Sequence, residues 1–482
     1  MTKILIIIGL FFSLGIFGVM QFPSAKYTDH YPGDPGVADP VENYKNYCAS
    51  CHGELMEAFV DRKWKYGTDK KSLTHAINTG YPNDGMPGFD TTFTETEVNE
   101  LVDYIYDGLK NLNRFDFASQ TKQETSWAGN GMNIQLETVI GGLKSPWGLA
   151  FLPNNDILFT EKAGQLYRLS KQNKLHNISG VPEVNPDGQG GLMDVILHPE
   201  YRKNKVIYLS YSKPKKENDK TVSTTAILRA VLENDQLIRQ KIIFEAYPYT
   251  STRHHYGSRM VFGDDGYLYF SVGDRGNHNQ YPQDLQYDPG KIHRINEDGS
   301  VPSDNPFVNT ENARPTIFSF GHRNPQGLVK HPETGEIWSH EHGPRGGDEI
   351  NLVQKGKNYG WPVISYGINY NGTTFTDKTS MPGMEEPLLY WVPSIGPSGM
   401  TFVNSNKYKK WNGNILSGSL RFKYLNMSKV EGHKVTDEAI LFENIGRLRD
   451  VKMGNDGYIY ISVENPGTIY RLKTKEIKKA SP

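Results

Sequence analysis

Cysteine is almost absent from this chain: two in 482 residues, Cys48 and Cys51. A multi-disulfide framework is thereby excluded, and so is a zinc site built from two cysteine pairs. Charge of one sign is also missing, since 53 Lys+Arg stand against 54 Asp+Glu for a formal net charge of -1. That balance gives no support to nucleic-acid binding, which draws on a basic excess to neutralise phosphates. Long apolar runs are lacking beyond the extreme N-terminus, so no other segment is expected to span a membrane. At that end Lys3 precedes the uncharged stretch Ile4 to Met20, the pattern of an export signal, cleaved or kept as an anchor. No cysteine follows the run directly, which excludes a lipid anchor on Cys. Residues 1–25 are read as this leader. Pro32, Gly33, Pro35, Gly36 and Pro40 mark a linker over 26–39. What the chain does have is 48 glycines, 12% aromatic and 37% hydrophobic residues, the composition of a folded, turn-rich protein.

Both cysteines fall in Cys48-Ala49-Ser50-Cys51-His52. Two thiols one helical turn apart suit thioether bonds to a haem, with the next residue, His52, beneath the iron. A redox CxxC would need a βαβ setting, and a zinc site would need further S or N ligands; neither is present. The second axial ligand is expected from a later loop. Met86, in Gly85-Met86-Pro87-Gly88-Phe89, is the candidate, because Met56 lies too close to His52 to reach the opposite face. Thr94 and Glu97 form a capping box ahead of apolar Val98, Leu101, Val102 and Ile105, which predicts a helix. Residues 40–113 thus resemble a small all-α class I cytochrome c domain with covalent haem c, held by Cys48, Cys51, His52 and Met86. A linker is expected over 114–133.

Over 134–473 one pattern recurs six times, before a tail at 474–482. A first strand, near Gly148, Asp194, Arg259, Gly327, Gly399 or Arg449, is followed by a turn and a second strand starting at Ile157, Ile207, Leu268, Ile337, Ile415 or Ile459. Asp265-Gly266 and Asp456-Gly457 carry hairpin-turn chemistry. One hairpin cannot bury both of its faces, so such units stack side by side. The expected fold class is an all-β six-bladed β-propeller, closed by a strand near Ile134–Ile140. A single β-sandwich would not need so long a chain.

In an antiparallel hairpin the start of the first strand and the end of the second share one rim. Gln189, His255, Arg323, Asn324 and Arg447 lead into first strands, and Ala163, Lys213, Asp274, Gly343, Arg421 and Asn465 follow second strands. The rim should therefore collect a His, an Asp and several Arg, a setting for an anionic cofactor beside a general base.

The loops resemble those of the soluble quinoprotein glucose/sorbosone dehydrogenase family. The shared motifs are Pro146-Trp147-Gly148-Leu149-Ala150-Phe151, Gly188-Gln189-Gly190-Gly191-Leu192, Gly321-His322-Arg323-Asn324-Pro325-Gln326-Gly327, Asp348-Glu349-Ile350-Asn351, Asn358-Tyr359-Gly360-Trp361-Pro362 and Arg447-Leu448-Arg449-Asp450. The resemblance implies pyrroloquinoline quinone (PQQ) and Ca²⁺ as cofactors and an aldose as substrate. It implies His255 as base, Asp274 as its orienting partner, and Arg323 as stabiliser of charge on the quinone oxygen. Asn324, Arg421, Arg447 and Arg449 would hold PQQ, Trp391 would stack on ring or sugar, and Gln189 would touch the sugar. Carbonyls of Gly343 and Pro344 would bind calcium. Arg421 stands where the family carries Lys, keeping the charge on a bulkier fork. Electrons would pass to the haem and then to a respiratory acceptor. His340 and His342 share a strand face but lack a third zinc ligand at a telling spacing. A non-enzymatic propeller carrying a haem domain, and a Ca²⁺-dependent lactonase, are the alternatives. The first would lack a base on the rim, and the second would leave the arginines without a task.

Overall fold

The computed structural model of the protein describes residues 39–53, 56, 59, 64–110, 124–129, 132–277 and 279–475. The expected leader and all of the linker but Asp39 lie outside them. Among the described residues no helix is long and apolar enough to cross a membrane.

Six sheets make the propeller. Its innermost strands are Pro146–Phe151, Leu192–Leu197, Met260–Phe262, Pro325–Lys330, Pro397–Phe402 and Leu448–Met453. Each pairs with the next strand outward in sequence, beginning at Ile157, Val206, Leu268, Ile337, Ile415 and Ile459. The first strands start within two residues of the positions expected. Hydrophobic residues of neighbouring blades meet in six separate seams. One is Val195, Ile207 and Leu209 against Leu158 and Leu166; another is Trp411 and Leu416 against Leu448 and Ile461. Each fully buried aliphatic side chain in such a seam contributes about 1.5–3 kcal/mol relative to exposure.

Two hairpins repeat one device. Asp265 Oδ1 accepts from Tyr267 N (3.2 Å) and its Oδ2 from Tyr269 Oη (2.7 Å); Asp456 does the same with Tyr458 N (3.1 Å) and Tyr460 Oη (2.9 Å). Gly266 and Gly457 supply the positive φ, +80° and +77°, that each turn requires. The carboxylate thus ties the turn to the strand it launches.

Ring closure is by the predicted N-terminal strand, Met132–Ile140, antiparallel to Thr468–Lys475 with Leu136 opposite Leu472. The expected linker 114–133 contains one further strand, Ser126–Gly129, added outside the closing strand. Its four residues alternate exposed and half-buried, too short a pattern to read without its partner.

At the axis, Arg259 is 1% exposed. Its guanidinium meets Asp450 Oδ1 at 2.9 Å and Asp194 Oδ1 at 3.4 Å, and donates to the Gln326 carbonyl (2.8 Å) and the Arg449 carbonyl (2.5 Å). These partners belong to the second, fourth and sixth blades. Gly399 lets the fifth and sixth inner strands converge here: a Cβ would lie 2.5 Å from Asp450 Cα.

The N-terminal domain is helical. Pro40–Asn43, Tyr44–Cys48 and Ala49–His52 run on as successive turns, the middle one wound as π-helix. Lys70–Thr79 is capped by Asp69, which accepts from Ser72 N at 2.9 Å. Glu95–Lys110 starts with the predicted capping box, Thr94 N to Glu97 Oε2 at 2.8 Å and Glu97 N to Thr94 Oγ1 at 3.3 Å. Val98, Leu101, Val102 and Ile105 pack on Tyr44, Leu73 and Ile77.

Removing one partner of a buried ion pair costs about 3–5 kcal/mol, against about 1 kcal/mol or less for an exposed one. Asp450→Asn should therefore lower the unfolding free energy several-fold more than Lys473→Ala, which breaks the exposed pair with Glu137. Equal shifts in denaturant midpoint would refute the axial assignment.

Candidate functional site

Loops entering the third and fourth inner strands meet the loop leaving the third blade's second strand. His255 holds φ +54°, a left-handed conformation that costs a non-glycine residue about 1–3 kcal/mol and persists only when its surroundings impose it. Here Gln189 does so, its Oε1 accepting from His255 N at 2.8 Å. The ring is thereby aimed at Asp274, with His255 Nδ1 and Asp274 Oδ1 2.6 Å apart. Gly276 N (2.8 Å) and Trp361 Nε1 (2.9 Å) complete the carboxylate's partners.

Burial by itself would raise the Asp274 carboxyl, but His255, Arg323 and the Gly276 N–H hold it below the carboxylate range. Burial, then the Arg323 charge, pushes the His255 imidazole down, with Asp274 working in the opposite direction. A neutral imidazole facing an ionised carboxylate must carry its proton on Nδ1. Nε2 then has the lone pair of a base.

Arg323, 6% exposed, lies beside this pair. Its N–H donates to Glu341 Oε2 (2.6 Å), and its guanidinium to the carbonyls of Gly343 (2.6 Å) and His342 (3.1 Å). Tyr370 Oη lies 3.4 Å from Nη2, and the guanidinium stands 5.3 Å from the Trp361 ring centre. Asp274 N donates to the Arg323 carbonyl at 2.7 Å, which locks the two loops together. Asn324 accepts from Gly257 N (3.1 Å), while its buried Nδ2 has no hydrogen-bond partner.

Across the axis Arg449 and Arg447 share Glu464. Arg449 donates to Oε1 (2.8 and 2.5 Å) and Arg447 to Oε2 (3.3 Å). Burial would raise Glu464, but Arg449 and then Arg447 hold it at about 2. Sequence reasoning missed this carboxylate, which leaves the two guanidiniums one net positive charge. Arg447 also donates to the Leu420 carbonyl (3.1 Å), and Arg421 to the Ser394 carbonyl (3.3 Å).

One expectation is altered. Trp391 is not presented to the rim: it is packed with Trp338, Ile350 and Met400 between blades, and its Nε1 donates to Glu438 Oε1 at 2.8 Å. It occupies an outer strand, Leu389–Trp391, whose alternation turns the indole into the seam. Gln189 is exposed, and its amide oxygen accepts from the His255 backbone N–H. Trp361 and Tyr370, assigned no task from sequence, line the site; Trp361 stood inside the N-Y-G-W-P motif and was the more findable of the two. His340 and His342 each meet a carbonyl of the next blade, Gly399 (3.1 Å) and Pro397 (2.9 Å), and pin the seam there.

The unpartnered Asn324 amide and the surrounding guanidiniums suit a polyanionic, carbonyl-rich ligand. The carbonyls of Gly343 and Pro344 each accept one bond, from Arg323 (2.6 Å) and Ser394 (3.3 Å), so each keeps a lone pair. Asp348 stands behind them, accepting from Gly343 N and Gly396 N, both at 2.8 Å. These are oxygen donors of the kind Ca²⁺ takes. No cluster of three His, Cys, Asp or Glu able to hold a metal occurs among the described residues, so a cation here would need oxygens from a ligand. In the helical domain Cys48 and Cys51 are not disulfide-bonded. Burial, then Cys51, pushes the Cys48 thiol up to about 12, which favours a thiol over a thiolate. His52 stacks on Phe59 at 4.5 Å, and Met86 lies in a tight turn, Tyr81 N donating to its carbonyl at 2.7 Å. Thiols, imidazole and thioether within an apolar shell suit a c-type haem.

The opposite mouth of the axis opens as a cavity of about 470 Å³, lined by Phe262, Lys330, Phe402 and Lys452 among others, with no histidine or carboxylate.

Residues 143–471 match the family described as Glucose / Sorbosone dehydrogenase, and residues 35–105 the one described as Cytochrome C oxidase, cbb3-type, subunit III. The chain is 39% identical over 365 residues to the aldose sugar dehydrogenase YliI of Escherichia coli (strain K12), covering 74% of this chain and 95% of that protein. A crystal structure of glucose dehydrogenase superposes with TM-score 0.68 at 38% identity, over 71% of this chain and 100% of that one. The PQQ-bound form of an aldose sugar dehydrogenase from Streptomyces coelicolor does so with TM-score 0.59 at 27% identity, over 71% and 98%. With its six blades, its rim motifs and this match over most of its length, the chain belongs to the glucose/sorbosone dehydrogenase family and carries a cytochrome c domain ahead of the propeller.

Proposed function

We propose that the protein is an exported PQQ- and Ca²⁺-dependent aldose dehydrogenase that oxidises sugars at the anomeric carbon to lactones and delivers the electrons to its own c-type haem. The observation that carries this reading is the 2.6 Å contact between His255 Nδ1 and Asp274 Oδ1, within a rim of guanidiniums. A non-enzymatic propeller has no use for a base held neutral by burial and fixed in one tautomer. Export is supported by the apolar leader and by the C-x-x-C-H run.

His255 Nε2 would take the proton of the anomeric hydroxyl. Asp274 would keep the ring oriented and stabilise the imidazolium that forms, and Trp361 would hold Asp274. When bound, PQQ supplies a two-electron acceptor for the anomeric C–H, with Ca²⁺ as a Lewis acid beside it. Arg323 would offset charge that develops opposite the base. Asn324, Arg421, Arg447 and Arg449 would hold the cofactor's carboxylates and carbonyls, and the carbonyls of Gly343 and Pro344 would hold calcium. Cys48 and Cys51 would bind the haem covalently, with His52 and Met86 on the iron. A respiratory acceptor would take the electrons onward.

His255→Gln should slow PQQ reduction by excess aldose by about 10²–10⁴-fold, with a far smaller change in KM. The base works as neutral imidazole, and its folded pKa is lowered. The wild-type rate should therefore stay flat through neutrality and decline only below the ordinary imidazole value of about 6.5. A stopped-flow profile that breaks above that value, or a near wild-type rate in the variant, would exclude His255.

Exhaustive chelation should release PQQ and stop sugar oxidation while the haem stays attached, since the protein offers the cation only carbonyls. Retained PQQ after gel filtration with chelator would remove calcium from the site.

Met86→Ala should abolish the Met–iron charge-transfer band and lower the haem potential, because thioether ligation raises it. An unaltered spectrum would assign the sixth ligand elsewhere.

A further inference from the structure

The haem domain and the propeller form one compact unit, Asp39–Pro482, and among the described residues they touch at three places set out below. Asp84, two residues before Met86, accepts from Arg253 Nη1 at 2.9 Å. Gly85, at φ +83°, brings its backbone against the neighbouring His254: a Cβ there would lie 3.3 Å from His254 Nδ1, a buried nitrogen with no hydrogen-bond partner. His254 in turn meets His255 edge-to-face, ring centres 4.6 Å apart. At the second contact Arg345 lies over the Tyr47 ring at 4.3 Å, next to Cys48. At the third Thr92 Oγ1 donates to the Asn371 carbonyl at 2.7 Å, next to the Tyr370 that faces Arg323.

The three propeller segments (253–254, 345 and 371) all belong to the rim that holds His255, Gly343 and Arg323. Two of the helical segments flank the expected haem contacts, Cys48 and Met86. The face of the domain that would present the haem is thus turned onto the catalytic rim rather than onto an outer blade edge.

We infer that this face is the chain's own electron-transfer interface, with Asp84–Arg253, Tyr47–Arg345 and Thr92–Asn371 seating the haem over the catalytic rim so that electrons cross within one molecule. This rests on the quinone-dependent oxidation proposed above. The aldose loses two electrons and two protons in becoming the lactone. The iron takes one electron, ferric to ferrous, discharges it to a one-electron acceptor such as a second c-type haem, and then takes the other; both protons leave to solvent. Asp84, Tyr47 and Thr92 are positioning residues, since none reaches the reacting atoms. Arg253 is tied to the machinery as well, its carbonyl accepting from Gln189 N at 2.7 Å, so the primary variants sit on the haem side.

In stopped-flow mixing of PQQ-loaded protein with excess aldose, wild-type haem reduction should be first order and independent of protein concentration. Asp84→Arg should leave PQQ reduction unchanged and slow haem reduction by about tenfold or more, the effect of depopulating the docked state by one ion pair. Thr92→Arg, which leaves that pair intact, should do the same. Asp84→Arg combined with Arg253→Asp should recover haem reduction. In PQQ-free protein, hydrogen exchange at 252–257 and 369–373 should accelerate in both single variants and return towards wild type in the swap. Haem reduction unchanged in both single variants, or a wild-type rate that scales with protein concentration, would overturn the interface. Failure of aldose to reduce PQQ in the wild type would instead refute the functional reading, and the exchange measurement would still decide the interface.

Discussion

A single guanidinium at the propeller axis organises the molecule. Arg259 is buried with Asp194 and Asp450 and bonded to the carbonyls of Gln326 and Arg449, so three alternate blades close on one side chain. Asp450 extends the tie to the first blade through Leu149 N at 2.9 Å. A buried cation is tolerated only when its charge and donors are met, and here the compensating groups are available only when the ring is shut. The hydrophobic seams hold each blade to its neighbour, whereas the axial network couples blades that do not touch side by side.

The rim that holds His255 and Arg323 stands on that network. Gln326, whose carbonyl takes Arg259, donates through its amide to the Gly257 carbonyl (3.1 Å) and lies 3.3 Å from Asn324 Oδ1. Arg449, whose carbonyl also takes Arg259, points its own guanidinium at Glu464. The loops that carry His255 and Asn324 are thus tied to the axial network through Gln326. The strain of a left-handed histidine and the burial of several charges are stability costs that only such over-determination can hold in place. Burial, then Arg323, disfavours a positive charge on the His255 imidazole, while Asp274 acts in the opposite direction.

The relatives and solved structures described above align over about three-quarters of the chain at most, the extent of the propeller. The helical domain contributes donors of another type and touches the rim loops rather than the sheet edges. Among the described residues it is joined to the rim by the Asp84–Arg253 ion pair, the Arg345–Tyr47 cation–π contact and the Thr92–Asn371 hydrogen bond. Such an interface positions a domain more than it stabilises one.

Local signals determined much of this protein. The Thr94–Glu97 capping box and the Asp265-Gly266 and Asp456-Gly457 hairpin turns are short-range patterns whose geometry depends on residues a few positions apart, and each is present as read; the C-x-x-C-H run marked the cytochrome c domain. The six repeats and the closing strand were legible because short apolar strands separated by turn residues recur in every blade. Hairpin topology put the loops of His255 and Asp274 on one rim, and the family resemblance paired the two residues. Tertiary structure decided what depends on side-chain direction across blades. It turned Trp391 into a seam towards Glu438, gave Gln189 to the His255 backbone, set Glu464 between Arg447 and Arg449, and brought Asp84 to Arg253 across 169 positions of sequence. None of those pairings has a local signature, because each is fixed by the packing of distant strands and loops that sequence spacing does not encode.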